Sequence, residues 1–231
     1  FAKKNKVAVK KFTAVGSLRL ANFLSGFKFI KRKKKYDVCL LSEYGAWFNK
    51  YNNININNII DLEAAYIKLV KYVIKFSTNN NLKFVLALKR RRSNINNEDY
   101  INEQKWFKEK FSNVEYKFLK KNFLYNNKTS SYTASFNSEV TIGVYSALLT
   151  ETLCCGNKIL SCNLAKPVMH SFPLNGVCKI DNCNFKNFEA RMKLVLRTTK
   201  LNYFKKIKSD YLMPTFFNPN TTYNKIRNII I

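Results

Sequence analysis

Four short runs of apolar residues constrain this chain more than any other feature. They are Val38-Cys39-Leu40-Leu41, Leu82 to Leu88 (LKFVLAL), Val140 to Val144 (VTIGV) and Lys158 to Asn163 (KILSCN). A strand with one wet face alternates apolar and polar residues. A run without alternation must be covered on both faces, as in a parallel sheet. Between these runs the period changes to that of helices. Leu62, Tyr66, Leu69, Val70 and Val73 fall on one helical face, with Asn58 as expected N-cap and Asp61 and Glu63 in the first turn. A helix carrying Ile101, Phe107 and Phe111 follows the second run, then Val114 to Leu119 as a third, more polar strand. Residues 122–138 read as a loop and a short helix. Ser146 to Cys155 reads as a helix stopped by Gly156, and Val177 to Ile180 as a sixth strand. Such β/α alternation predicts an α/β domain, a parallel sheet with helices on both faces.

The ends differ from this middle. Residues 1–35 are basic and close on Lys31-Arg32-Lys33-Lys34-Lys35, a linker-like run. The expected division is 1–35 as the tail of a missing N-terminal domain plus linker, 36–213 as the α/β domain, and 214–231 as a last helix. In the C-terminal third, Phe188, Met192 and Val195 share a face behind Asn184 as cap, and a second helix starts near Thr199. Pro214 marks a break, and Thr221 would cap a helix carrying Ile226, Ile229 and Ile230. The chain begins at Phe1, which reads as a fragment or trimmed chain and leaves a targeting signal open.

Charge narrows the partners. The net charge is +27, from 41 Lys+Arg against 14 Asp+Glu, so anionic partners are expected: nucleic acid, phosphorylated metabolites or an anionic membrane surface. Only 8 of the 41 are Arg, and Asn numbers 31, a composition that AT-rich codons produce without selection for charge. No apolar run reaches the roughly 18 residues that span a bilayer. The six Cys form no CxxC or Cys/His cluster, and reduced buried thiols in a cytosolic protein are expected.

In a doubly wound sheet ligands bind beyond the C-terminal strand ends. Two stretches place chemistry there. Ser146 follows the fourth strand at a helix N-terminus, where free N–H groups favour an anion. Glu151 is the single charged residue between Val140 and Asn157, and a carboxylate on so apolar a helix needs partners. A ribose or sugar with adjacent hydroxyls would serve, as would solvent or a nearby Lys. Local physics leaves both open. Lys89-Arg90-Arg91-Arg92 after the second strand could clamp a diphosphate or be a solvated basic loop. His170, the sole histidine, lies in a loop after the fifth strand. One His supports no Ser/His/Asp triad, and neither GxGxxG nor a Walker motif is present.

The stretch SEVTIGVYSALLTETLCCGNKILSCNL (Ser138 to Leu164) resembles the donor-binding segment of bacterial surface-carbohydrate biosynthesis proteins similar to GT-B glycosyltransferases. UDP-N-acetylglucosamine 2-epimerases share its plan. Further matches are Val15-Gly16-Ser17-Leu18-Arg19, Tyr36 to Glu43, and Tyr211-Leu212-Met213. Ala147 departs from the Thr usual after the Ser.

The resemblance implies a Rossmann-like sheet like the C-terminal domain of a GT-B enzyme, with a nucleotide-sugar as donor substrate and a glycan or lipid-linked acceptor. Tyr145, Ser146 and Ala147 would hold the donor phosphate. Thr150 and Glu151 would lie on the donor, with Glu151 on its hydroxyls. Lys89 and Arg90 would neutralise the leaving diphosphate, with Ser42 and Glu43 facing the interdomain cleft. Glu43 and His170 are the catalytic candidates, although the base of such enzymes usually belongs to the other domain. No metal or cofactor is expected. The alternatives are a nucleotide-sugar epimerase and a basic nucleic-acid-binding protein. The spread of the basic residues argues against a specific nucleic-acid partner. The expected location is cytoplasmic, peripheral at the inner membrane face, where the segment 199–211 with Lys200, Lys205, Lys206 and Lys208 could rest on anionic lipid.

Overall fold

The computed structural model describes residues 17–26, 34–44, 56–89, 98–124, 130–165, 171–208, 224 and 227. The chain divides into two compact units, residues 31–215 and residues 1–30 with 216–231. In the smaller unit one helix is described, α1 (Leu18–Gly26). Ser17 Oγ accepts the Leu20 N–H at its start, and Leu20, Phe23 and Leu24 form its buried stripe.

The larger unit runs β1 (Tyr36–Leu41), α2 (Ile56–Asn79), β2 (Phe84–Ala87), α3 (Glu98–Lys110), α4 (Asn113–Lys121) and β3 (Phe123–Leu124). It continues with α5 (Ser130–Phe136), β4 (Ser138–Gly143), α6 (Ala147–Cys154), β5 (Lys158–Asn163), β6 (Asn175–Gly176) and β7 (Lys179–Asp181). It closes with α7 (Phe185–Arg197), α8 (Lys200–Lys205) and β8 (Ile207–Lys208). Six strands form one parallel sheet in the order β3-β2-β1-β4-β5-β7, while β6 and β8 pair antiparallel. The expected parallel α/β architecture is therefore present. Strands β2 and β5 are buried end to end, and β1 and β4 are buried from Val38 to Leu41 and from Val140 to Gly143. Helices α2, α4 and α7 pack together on one face, and α5 packs with α6 on the other.

Several local expectations are corrected. Residues 114–119 are not a strand but the body of α4. The alternation Val-Glu-Tyr-Lys-Phe imitates a strand, yet Ser112 and Glu115 form a reciprocal capping box that starts a helix, and Val114 is 79% exposed. The third strand is the two-residue β3, paired with Leu86 and Ala87. Asn58 is no cap, because α2 already begins at Ile56, and no acid lies in its first turn. Asn is tolerated inside helices at modest cost, so a cap-type residue does not oblige a helix to start there. Ile101 is exposed, since six residues rotate it away from Phe107, and α3 instead buries Glu103, Trp106 and Phe107. The expected strand 177–180 shifts to β7 at Lys179–Asp181.

Other local readings agree with the structure. Ser146, Asn184 and Thr199 cap α6, α7 and α8, and Gly156 after α6 takes a positive φ of 75°. All six cysteines are free thiols; Cys39, Cys162, Cys178 and Cys183 are buried, while Cys154 and Cys155 are half-buried. Pro214 and the Thr221 cap lie outside the described residues, as does the Tyr211-Leu212-Met213 match.

Two side chains finish the sheet where strands run out. The sixth strand is short and first meets β5 at Ser161, leaving the Ile159 backbone without a strand partner on that side. The buried Tyr203 hydroxyl replaces it, accepting the Ile159 N–H at 3.1 Å and donating to the Ile159 carbonyl at 2.7 Å. The Lys158 ammonium donates to the carbonyls of Val195, Leu196 and Thr198 at 2.8, 3.1 and 3.1 Å, capping α7 with a cation. Tyr203→Phe strands both Ile159 groups in the core, and a loss of about 1–3 kcal/mol is expected. Urea unfolding checks it; an unchanged midpoint would show that water replaces the hydroxyl.

Candidate functional site

The helices that follow β1 and β2 lie on one face of the sheet, and those that precede β4 and β5 lie on the other. Strand order reverses between β1 and β4, so the chain leaves these neighbours in opposite directions. The C-terminal ends of β1 and β4 consequently open a crevice, the usual ligand position in doubly wound folds. Ser42 and Glu43 enter it from β1, and Val144, Tyr145 and Ser146 from β4.

Glu43 spans the split. Its Oε1 accepts the Val144 N–H at 3.1 Å, and its carboxylate also takes the Tyr145 N–H. The side chain is buried at 7% exposure. Burial raises its pKa above the ordinary 4.5; the Val144 N–H, the Lys89 ammonium and the Tyr145 N–H oppose that rise in this order. Gly143 leaves room for this approach: a Cβ there would stand a tight 3.3 Å from both Glu43 Oε1 and Leu149 Cδ1.

A second acid supports this end of the sheet. Glu103 of α3 is fully buried; its Oε1 accepts the Ser42 hydroxyl and, at 3.0 Å, the Lys89 backbone N–H. One carboxylate therefore ties the loop after β1 to the loop after β2. Tyr66 of α2 donates to the Leu41 carbonyl at 3.1 Å, and burial, then the Glu43 charge, raises its phenol pKa. Trp106 lies against Tyr66 at 6.0 Å and donates from Nε1 to Glu63, which also pairs with Lys110 at 2.9 Å. Sequence reasoning missed Glu103. Its signal was an acid three and four residues before Trp106 and Phe107, on the apolar stripe of α3.

The remaining candidates sit on and near α6. Tyr145 is 53% exposed, and Ala147 and Thr150 are exposed. Ser146 is half-buried, and its hydroxyl accepts the Leu148 N–H at 3.3 Å. Glu151, half-buried on α6, accepts the Tyr132 hydroxyl of α5 at 2.7 Å. Its partner is thus a tyrosine that sequence reasoning did not single out. Lys89 is exposed directly after the second strand, close enough for its ammonium to act on Glu43. The structure brings Glu43, Tyr145 and Lys89 together at one end of the sheet, while Glu151 is held from α5. Arg90 and His170 lie outside the described residues. No grouping of three or more His, Cys, Asp or Glu suited to a metal occurs among the described residues.

The family described as "putative O-antigen biosynthesis protein" matches residues 3–173. The chain belongs to this O-antigen biosynthesis family. No functionally curated protein matches its sequence significantly. Among solved structures, UDP-GlcNAc 2-epimerase from Methanocaldococcus jannaschii, in complex with UDP-GlcNAc and UDP, aligns at TM-score 0.53 and 11% identity, over 99% of this chain and 57% of that one. Another structure of that enzyme aligns at 0.47 and 10%, covering 99% and 58%. Sucrose-phosphate synthase from Thermosynechococcus elongatus aligns at 0.42 and 10%, covering 92% and 46%. The O-antigen family member described here thus spans little more than half the length of the epimerase. Its fold is the Rossmann-like α/β sheet of GT-B-type enzymes, as the resemblance implied.

The raised pKa of Glu43 sets a pH dependence. Above the ordinary 4.5 the unfolded chain has lost a proton that folded Glu43 still holds, so this group's contribution to stability falls as pH rises through the folded value. Glu43→Gln stays neutral and keeps an acceptor for Val144. The stability of Glu43→Gln relative to the parent should therefore rise between pH 4 and pH 8 in urea titrations. A difference independent of pH would mean that the Glu43 carboxyl titrates alike in the folded and unfolded chain, and a difference that falls over this range would place an ionised carboxylate in the crevice.

Proposed function

We propose that this member of the O-antigen biosynthesis family binds a nucleotide-sugar donor in the crevice between β1 and β4, within a glycosyltransferase of surface polysaccharide or lipopolysaccharide assembly. One observation carries the reading: Tyr145, Ser146 and the α6 N-terminus meet Glu43 and Lys89 where a doubly wound sheet receives its ligand. With the Tyr145 N–H held by Glu43, the Ser146 and Ala147 N–H groups and the Ser146 hydroxyl would hold the donor phosphate at the positive end of α6. Lys89, with Arg90, would stabilise charge as it develops on the leaving diphosphate. Glu151, already oriented by Tyr132, would accept from donor hydroxyls, with Thr150 one residue away. A Glu43 that retains its proton would donate to a phosphate or sugar oxygen while its other oxygen holds β4. The acceptor, a glycan or lipid-linked sugar, would complete the site from the other side of the crevice, and His170 would join it from the loop after β5. No metal or cofactor is assigned a role in this reading.

A thermal-shift series with UDP-, GDP-, CMP- and CDP-sugars tests the proposal, with pyrophosphate and a DNA oligomer as charge controls. Ligands that bind the folded state raise the midpoint by mass action. A shift with one nucleotide class is expected, reduced in Lys89→Ala and in Glu151→Ala. Equal shifts with every polyanion, unchanged in both variants, would overturn it in favour of charge alone. The epimerase-like shape of the fold supports a second reading, inversion at C2 of a UDP-sugar. Turnover of UDP-GlcNAc to its C2 epimer without acceptor, followed by proton NMR, would select that reading.

The same proposal places the protein at the inner membrane face. No helix among the described residues is long and apolar enough to cross a membrane. On α7 and α8, however, Leu194 (43%) and Leu201 (67%) are exposed close in sequence to Arg197, Lys200, Lys205 and Lys206. Apolar side chains among cations suit an anionic lipid surface. Co-sedimentation with phosphatidylglycerol vesicles should fall roughly fivefold or more for each Lys replaced by Glu at 200, 205 and 206, following about 1 kcal/mol per basic residue near such a surface. Equal retention of these variants would sink the assignment.

A further inference from the structure

The opposite, N-terminal edge of the sheet holds a cavity of about 420 Å³ between the starts of β1 and β2 and the end of α4. That volume falls within the range of small-molecule sites, roughly 300–1,000 Å³. It is separate from the crevice, since the β1/β4 crevice lies at the other ends of these strands, and the proposed donor reading makes no use of it.

Its lining combines three chemistries. Tyr36, Phe84 and Phe118 supply ring surface. Phe84 and Phe118 stack with centroids 5.5 Å apart at 20°, so the buried Phe84 ring backs the Phe118 ring. Phe84 is buried beneath, while Tyr36 and Phe118 are half-buried and retain open ring surface. Lys35 and Lys83 supply cations, both exposed. The Lys35 ammonium stands 5.3 Å from the Tyr36 ring centroid. No ion pair to either ammonium is found among the described residues. Asp37, the acid on β1, instead accepts the Lys83 backbone N–H at 2.7 Å. Asn122 supplies an amide whose Nδ2 donates to the Phe118 carbonyl at 2.8 Å, leaving Oδ1 as an acceptor beside the rings.

A flat ring carrying a compact anion and a hydrogen-bond donor satisfies all three at once. Aromatic stacking selects the ring, two ammoniums select the anion, and the amide oxygen takes the donor. We propose that this cavity is a second ligand site for an aromatic phosphomonoester of nucleoside monophosphate size, with its base against Phe118 and Tyr36 and its phosphate between Lys35 and Lys83. A phosphorylated sugar offers the same anion without the aromatic ring, so the two sources separate experimentally.

Isothermal titration of the full chain at moderate salt decides the matter. The probes are uridine 5′-monophosphate, adenosine 5′-monophosphate, glucose 1-phosphate and inorganic phosphate. Lys35→Ala/Lys83→Ala alters two exposed side chains and should weaken the nucleoside monophosphates about tenfold or more, the scale of losing charge-assisted contacts. Phe118→Leu should erase their preference over inorganic phosphate, and Glu151→Ala should leave this binding in place. Far-UV circular dichroism checks each variant; if Phe118→Leu unfolds, the lysine variant still decides. Inorganic phosphate or glucose 1-phosphate binding as tightly as the nucleotides would overturn the aromatic class. Binding that persists in the lysine variant, or is lost only in Glu151→Ala, would overturn the site itself.

Discussion

The central strands β1, β2, β4 and β5 have no wet face, and the rest of the larger unit follows from that. A sheet buried on both sides needs helices on both sides. Parallel strands cannot be joined by tight turns, so each connection must cross over the sheet, and from β1 to β5 every crossover carries a helix. When later strands are added on the other side of β1, the helices change face, and a crevice opens where β1 and β4 diverge. The position of the site is thus a consequence of burial and chain direction before any functional side chain is considered.

The crevice is closed at its base by polar bonds that a hydrophobic sheet does not require. Glu43 bridges β1 to β4, and Glu103 joins the loops after β1 and β2. Buried carboxylates are unfavourable unless well bonded. Here backbone N–H groups, a serine hydroxyl and the nearby Lys89 charge supply the bonding and the field. These contacts set the positions of Ser42, Lys89 and Tyr145, the groups that would face a ligand. The chain's net charge of +27 favours anions in general, whereas this bonded corner fixes groups in positions that could distinguish among them.

Much of the architecture was legible in the sequence. Unbroken apolar runs marked β1, β2, β4 and β5, and Ser146, Asn184, Thr199 and Gly156 marked helix ends through their own backbone chemistry. Legibility failed where two local signals competed. Residues 114–119 alternate like a strand, but the capping box of Ser112 and Glu115 settles them as α4. Strand β3 has only two residues and exists because Leu86 and Ala87 offer it a partner, so nothing local announces it. Glu103 was hidden because an acid flanked by Asn102 and Gln104 is ordinarily read as the wet side of a helix. The Tyr132 to Glu151 bond joins residues 19 apart on different helices, and no spacing rule points to it.

By itself, then, the sequence determined the fold class, the helix and strand types at its strongest periods, and the loops where ligand chemistry concentrates. These properties are encoded within a few turns of chain, through hydrophobic period, capping and φ preference. Tertiary structure alone decided the strand order, the switch between β1 and β4, and the partners of each buried acid. Glu43 meets Val144 from 101 positions away in the chain, a bond that exists only because two parallel strands lie side by side. The pKa of Glu43 and the cavity formed by Lys35, Phe118 and their neighbours arise in the same way, from burial and proximity that no local stretch of residues contains.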